Sequence, residues 1–238
     1  MLFFFIRHGD PIYDPDSLTP LGQRQAEAVA KRLAMHGIDR IYASSSNRAQ
    51  QTARPTSEIV KKEIVTLDWC NESHAWRELT VNLTENRKTW LFHHAPTREI
   101  LNSASVRALG RNWFDHPAFA NKGYKEGIQR IQTESDAFFA SLGYEHDAER
   151  GGYIPVRPNS ERVALFAHQG FSLAFMSCLL DIPYPLFCTR FDFGHTGLTV
   201  IDFDGKGDII FPHVLTMAND SHIYREGLPT SYQNEIYF

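Results

Sequence analysis

Arg7-His8-Gly9 follows directly on an apolar run, Leu2 to Ile6, and sets a guanidinium and an imidazole at the expected end of a strand. A neutral imidazole carries an accessible nitrogen lone pair and can act as a nucleophile. An arginine beside it can grip a phosphoryl oxygen and keep the ring unprotonated. The glycine lets a ligand come close to the backbone. Two other stretches have the same character. Ser44 to Ala49 puts Arg48 in the first turn of a helix after a second strand. Ala167-His168-Gln169-Gly170-Phe171 puts His168 at the end of a further strand, with a helix N-terminus behind it that favours anions. Taken singly, Arg48 reads as a solvated helix residue, His168 as a hydrogen-bonded core histidine and His8 as an exposed strand-end residue. Two histidines and two arginines at equivalent strand ends point instead to one pocket that handles a phosphoryl group.

The elements that must position them follow from the apolar pattern. Leu2-Phe3-Phe4-Phe5-Ile6 is apolar without alternation, as in a strand buried on both faces of a parallel sheet. Thr19-Pro20 supplies a helix cap and a first-turn proline, and Ala26, Val29, Ala30 and Leu33 form one helical stripe up to Gly37. A strand over 38–43, a helix over 48–62 kinked or restarted at Pro55, and a strand over 64–67 come next. A strand over 163–167, a helix over 171–180 closed by Pro183 and Pro185, and a hairpin of 198–203 with 209–211 complete the order. Alternating strands and helices predict right-handed crossovers and an α/β fold: a three-layer α/β/α sandwich around a mostly parallel sheet. Ligands in such sheets bind beyond the carboxyl ends of the strands.

Residues 76 to 160 break the alternation and read as a helical insertion forming a cap, within a single domain spanning 1–238. Its last helix carries Tyr124, Ile128, Ile131, Phe138 and Leu142 on one stripe. As a cap it would supply substrate selectivity, with Arg98, Arg107 or Arg111 reading a second anionic group and Trp90, Trp113 or Phe114 packing on an apolar portion. Adjacent His93-His94 do not share a helix face, which argues against a metal site there.

The chain has 238 residues, 42% of them apolar, with 24 Lys plus Arg against 28 Asp plus Glu and a net charge of −4. That total provides no field for nucleic acid or an anionic membrane, so any anion site is local. The apolar run at the start is too short to span a bilayer. Cys70, Cys178 and Cys188 are odd in number and widely spaced, the pattern of buried reduced thiols. A cytoplasmic protein is expected. The tail from Gly227, ending Ile236-Tyr237-Phe238, could dock on the core or on a partner.

Phe5-Ile6-Arg7-His8-Gly9-Asp10, Leu18 to Gln23, Ser44 to Thr52 and Phe166 to Phe171 occur in an order and spacing that resemble the histidine phosphatase superfamily, in its phosphoglycerate mutase-like branch. Asn219-Asp220-Ser221-His222 is similar to its C-terminal segment. The resemblance covers roughly 1–75 and 161–225. It implies a phosphohistidine mechanism without metal or other cofactor. His8 would attack phosphorus, and Arg7, Arg48 and His168 would bind the phosphoryl oxygens. Asn71-Glu72-Ser73-His74 resembles the motif of the proton donor, which makes Glu72 the implied acid and later base, with Glu78 as second choice. Gln169 follows His168 where the acid-phosphatase branch has aspartate, so the acid comes from elsewhere. Asp10 and Tyr13-Asp14 depart from the mutase pattern, and a paired-arginine, proline-rich segment is missing. A phosphatase acting on a small phosphomonoester is thus favoured over a phosphoryl mutase, and both over a non-catalytic phospho-ligand-binding module.

Overall fold

The computed structural model describes residues 1–204 and 207–232. Six strands form the central sheet: β1 (Leu2–Arg7), β2 (Arg40–Ser44), β3 (Ile64–Leu67), β4 (Arg162–Ala167), β5 (Leu198–Asp202) and β6 (His213–Asn219). Their order is β6-β5-β1-β4-β2-β3. β1, β4, β2 and β3 run parallel, and β5 is antiparallel to both β1 and β6. β1 is central, as its unbroken apolar run demands, and its residues divide between two cores. Phe4 and Ile6 pack with Val29, Leu33 and Ala53, whereas Phe3 and Phe5 pack with Phe139, Phe171 and Phe175. The first core lies under α1 (Pro20–His36) and α2 (Asn47–Val60). The second lies under α4 (Tyr124–Ser141) and α5 (Gln169–Leu179), with the short α3 (Glu72–Glu78) packed against α5. The result is the three-layer α/β/α arrangement expected from the alternation.

Local chemistry explains the boundaries that carry the site. Thr19 accepts the backbone N–H of Gly22 and Pro20 opens α1, while Ser46 caps α2 by accepting from Ala49. α2 is one continuous helix with Pro55 inside it, so it does not restart there; its packing against α1, β2 and β4 supports it across the missing hydrogen bond.

Two further expectations are corrected. β5 pairs with 213–219 and not with 209–211. Ile210 is drawn away to the insertion, where it exchanges backbone hydrogen bonds of 2.8 Å with Tyr153 and is buried. Gly205 and Lys206 of the expected turn lie outside the described residues, as does the Ile236-Tyr237-Phe238 end of the tail. The insertion is not wholly helical: Thr80–Thr84 pairs with Arg87–Trp90, and Glu145–Asp147 with Gly152–Ile154. The long helix α4 belongs to the sandwich itself, with the Phe3 ring 5.2 Å from that of Phe139.

Cys70, Cys178 and Cys188 are buried and unpaired, and burial raises the pKa of all three thiols. Among the described residues, no helix is long and apolar enough to cross a membrane.

Candidate active site

The carboxyl ends of β1, β2 and β4 converge. His8 and His168 lie with ring centroids 5.2 Å apart, both fully buried together with Arg7. His8 Nδ1 lies 2.7 Å from the Gly9 carbonyl. That oxygen can only accept, so Nδ1 carries the proton and Nε2 keeps its lone pair. Gly9 is fixed in turn: its N–H donates to Thr52 Oγ1 at 3.0 Å, and that hydroxyl donates to the Arg48 carbonyl. Burial lowers the His8 pKa well below its ordinary value, and the charges of Arg7, His168 and Arg48 lower it further. The ring is therefore neutral at pH 7.

His168 is held in the complementary sense. Ser44 Oγ accepts from the Ser46 N–H and lies 2.7 Å from His168 Nε2. Ser46 Oγ lies 3.2 Å from the same nitrogen, and a hydroxyl hydrogen given to Nε2 by either serine would leave the ring proton on Nδ1. Nδ1 is buried without a hydrogen-bond partner and lies 3.6 Å from Glu72 Oε2. Arg48 donates from Nη1 to Asp16 Oδ1 at 2.8 Å and sits 5.5 Å over the Tyr13 ring. Asp16 also accepts the Asn47 N–H, so one carboxylate fixes both the first turn of α2 and its guanidinium. Arg7 reaches the Phe193 carbonyl at 2.5 Å.

Glu72 opens α3 and accepts from the Phe171 N–H at 3.0 Å, at the start of α5. Burial raises its carboxyl pKa, against Arg48 and the backbone N–H groups of Phe171 and Gly170, which lower it. Glu78, the second choice, is committed elsewhere: both its oxygens accept from Arg130 at 2.7 Å. His8, Glu72 and His168 offer ligand atoms within 4.8 Å of one another, a spacing a metal ion could use. The Arg7 and Arg48 charges that depress both histidines favour an anion there over a cation.

The arginines and aromatics expected from the insertion are dispersed. Arg111 pairs with Asp181, and Arg98 and Arg107 are exposed on short helices. Trp113 is core, stacked on Tyr124 and Tyr184, and Phe114 is largely buried. Trp90 does reach the site's wall, since a Cβ at Gly170 would sit 2.3 Å from its indole.

Several residues were not evident from the sequence. His195 lies with its ring 5.7 Å from that of His8 and its Nδ1 3.5 Å from Asp10 Oδ1. Burial, then Arg7, pushes its pKa down to about 3. The neighbouring Thr196 N–H donates to the carbonyls of Arg7 and His8, and its hydroxyl lies 3.0 Å from Nε2 of the buried His222. No spacing rule links 195 to residue 8, and only the Gly194-His195-Thr196-Gly197 composition marks a tight loop; His222 closes the Asn219-Asp220-Ser221-His222 segment that carries part of the resemblance.

With this geometry in view, the family assignment follows from one comparison. The sequence profile described as histidine phosphatase superfamily (branch 1) matches residues 3–211. The chain belongs to the histidine phosphatase superfamily. A similar protein, named a probable phosphoglycerate mutase GpmB, from Yersinia enterocolitica, is 33% identical over 93 residues, covering 35% of this chain and 40% of the relative. The match thus spans well under half of that relative's length. Among solved structures, a phosphoserine phosphatase from Entamoeba histolytica in complex with 3-phosphoglyceric acid superposes with a TM-score of 0.57 at 18% identity. That superposition covers 93% of this chain and 98% of the other. A mycobacterial glucosyl-3-phosphoglycerate phosphatase in complex with inorganic phosphate superposes with a TM-score of 0.58 at 19% identity, over 93% of this chain and 98% of the other. These likenesses establish the histidine phosphatase fold.

Two expected outcomes arise from this geometry. A Cβ at Gly22 would sit 2.2 Å from the Asp10 carbonyl oxygen, which belongs to the backbone of the segment after His8. Alanine favours a helix interior over glycine by about 1 kcal/mol, but the backbone overlap costs about 1–3 kcal/mol or more, so the overlap wins. Gly22→Ala should lower the urea midpoint and reduce turnover; a variant as stable and active as wild type would contradict the close packing.

The second concerns acid. His222 and His195 have pKa values pushed down to about 4 and about 3, both mainly by burial. Between those values and the unfolded value of about 6.5, the unfolded chain binds more protons. Their contribution to stability is therefore complete above about pH 6.5 and is lost as pH falls through that window. Urea midpoints at pH 7.5 and pH 5 should differ, and by less in His222→Asn; an equal difference in the variant would refute the role assigned to His222.

Proposed function

We propose that the chain is a metal-independent phosphatase that hydrolyses a small phosphomonoester through a phosphohistidine on His8. The observation that carries this reading is the tautomer of His8: Nδ1 is tied to the Gly9 carbonyl, Nε2 is left as the nucleophile, and burial, reinforced by two arginines, keeps the ring neutral. In the first step Nε2 attacks phosphorus, and the bond to the ester oxygen breaks. The departing alkoxide takes the proton of the Glu72 carboxyl, which burial favours in its protonated form. Arg7, Arg48 and His168 Nδ1–H take up the charge on the phosphoryl oxygens. In the second step the Glu72 carboxylate accepts a proton from water as its oxygen attacks phosphorus. The P–N bond breaks, inorganic phosphate leaves, and His8 and Glu72 return to their starting states. Throughout, Nδ1 keeps its proton.

The resemblance to the probable mutase favours a second reading, transfer of the phosphoryl group within or between sugar acids. Against it stand Asp10 after the Arg-His-Gly motif and the exposed or paired arginines of the insertion, which offer no second phosphate grip. The three buried thiols accord with a cytoplasmic enzyme. The test is phosphate release from a panel of phosphomonoesters in the presence of a chelator. Chelator-resistant release is expected. Loss of activity to the chelator, or label moving between positions of one substrate faster than free phosphate appears, would overturn the phosphatase reading.

A further inference from the structure

The backbone that carries His8 is held by a part of the chain that takes no step in the reaction. Gly194-His195-Thr196-Gly197 precedes β5 and lies against the end of β1. Thr196 is fully buried and has a φ of +52°, a left-handed conformation that a β-branched residue rarely adopts. Such a conformation costs free energy and persists only where its surroundings impose it. Here it aims the Thr196 N–H at two carbonyls at once, those of Arg7 at 3.1 Å and His8 at 3.2 Å. On the β4 side the His8 N–H donates to the Ala167 carbonyl at 2.9 Å. The same loop receives the Arg7 guanidinium, which donates to the Phe193 carbonyl.

The C-terminal segment imposes this turn. The Thr196 hydroxyl donates to the His195 carbonyl at 2.8 Å, so toward His222 Nε2, 3.0 Å away, it can only accept. Nε2 therefore carries the His222 proton. The other end of the ring agrees, since Nδ1 lies 3.5 Å from Arg32 Nη1 and a guanidinium only donates. Arg32 also donates to Asn219 Oδ1 at 2.5 Å, and Ile223 packs on Ala28 of α1. His222, 3% exposed, is thus set from α1 in one tautomer and one orientation. Burial and then Arg32 hold its pKa down to about 4, so the ring stays neutral at pH 7.

We propose that Thr196 and His222 are positioning residues for the nucleophile: the His222 N–H fixes the Thr196 hydroxyl, the left-handed turn at Thr196 fixes the carbonyls of Arg7 and His8, and together they set the line along which His8 Nε2 meets phosphorus. The inference rests on the phosphatase reading above. A nucleophile displaced by about 1 Å can lose about 10²-fold in rate, whereas ground-state binding, shared among Arg7, Arg48 and His168, changes far less.

The test measures kcat and KM for p-nitrophenyl phosphate, and calorimetric affinities for inorganic phosphate and orthovanadate, in wild type, His222→Leu, His222→Gln, Thr196→Val and Thr196→Ser. Urea midpoints show which variants are folded. Phosphate needs only the charged and N–H donors, whereas vanadate mimics the in-line transition state and needs His8 Nε2 in place. His222→Leu and Thr196→Val should each lower kcat by about tenfold or more with KM within about twofold, and should weaken vanadate far more than phosphate. The two together should lose no more than the larger single loss, as residues acting through one contact do. Thr196→Ser keeps the hydroxyl and His222→Gln keeps an N–H donor near the place of Nε2, so both should recover most of kcat. An unchanged kcat in folded His222→Leu or Thr196→Val, equal losses for vanadate and phosphate, or recovery in neither conservative variant would overturn the proposal. If the wild type leaves p-nitrophenyl phosphate intact, the phosphatase reading fails, and the two anions decide the positioning role by themselves. A vanadate-to-phosphate affinity ratio that falls in His222→Leu and Thr196→Val then supports it, and an unmoved ratio refutes it.

Discussion

His8→Ala is expected to reduce phosphate release by at least about 10³-fold, because it removes the nucleophile of the covalent route. An acceptor fixes Nδ1 of the imidazole, and burial together with two guanidiniums keeps the ring neutral; alanine has no such group. The fold should survive, since His8 lies just beyond β1 and outside both apolar cores, whose packing its removal leaves in place. Inorganic phosphate should still bind, held by Arg7, Arg48 and His168. Loss of turnover with retained phosphate binding therefore separates a chemical defect from unfolding. A variant that hydrolyses esters at the wild-type rate would show that phosphorus is attacked by something other than His8.

Glu72→Gln is expected to have the second largest effect, about 10²- to 10⁴-fold on kcat/KM for alkyl phosphates, the usual worth of a placed proton donor. The substitution keeps the shape and the contact with the Phe171 N–H while removing the proton that the alkoxide needs. p-Nitrophenyl phosphate, whose leaving group departs without protonation, should lose far less. The pH dependence gives an independent reading. kcat/KM reports the first transfer, which needs neutral His8 and protonated Glu72. Burial lowers the His8 pKa and raises that of Glu72, so each active form is extended beyond its ordinary range. Activity should fall as pH rises through the raised Glu72 value, and this alkaline limb should be missing in the glutamine variant. An unchanged limb would move the acid to another group.

The parts of the site that could be read in the sequence are those set by local rules. An apolar run ending in Arg7-His8-Gly9, a capped helix beginning at Arg48 and a strand ending at His168 each announce a side chain at the carboxyl end of a parallel strand. Three such ends in a right-handed α/β sheet share one rim. Glu72 was reached through resemblance, and its contact with Phe171 explains why α3 must open where it does. The residues that were missed are fixed by contacts far apart along the chain. Asp16 finds Arg48 across the β-hairpin before α1, Asp192 finds Gln169, and His195 reaches His8 only because β5 runs antiparallel beside β1. The misplaced hairpin partner has the same cause. Ile210 is apolar enough for a sheet strand, but burying it against Tyr153 wins over pairing with β5, a choice decided by tertiary packing. The insertion's hairpins are short and largely polar: Thr80-Val81-Asn82-Leu83-Thr84 does alternate, but its partner Arg87-Lys88-Thr89-Trp90 does not.

The central claim is that phosphorus resides on His8 between the two half-reactions. The direct measurement is rapid quench of the wild-type enzyme with a phosphorus-labelled ester, followed by peptide mapping of the labelled protein. An alkali-stable, acid-labile adduct on the peptide containing Arg7-His8-Gly9, absent in His8→Ala and accumulating in Glu72→Gln when the ester is p-nitrophenyl phosphate, whose leaving group needs no proton, is the predicted result. Turnover in which no such adduct forms, or an adduct mapping to any other residue, would contradict it.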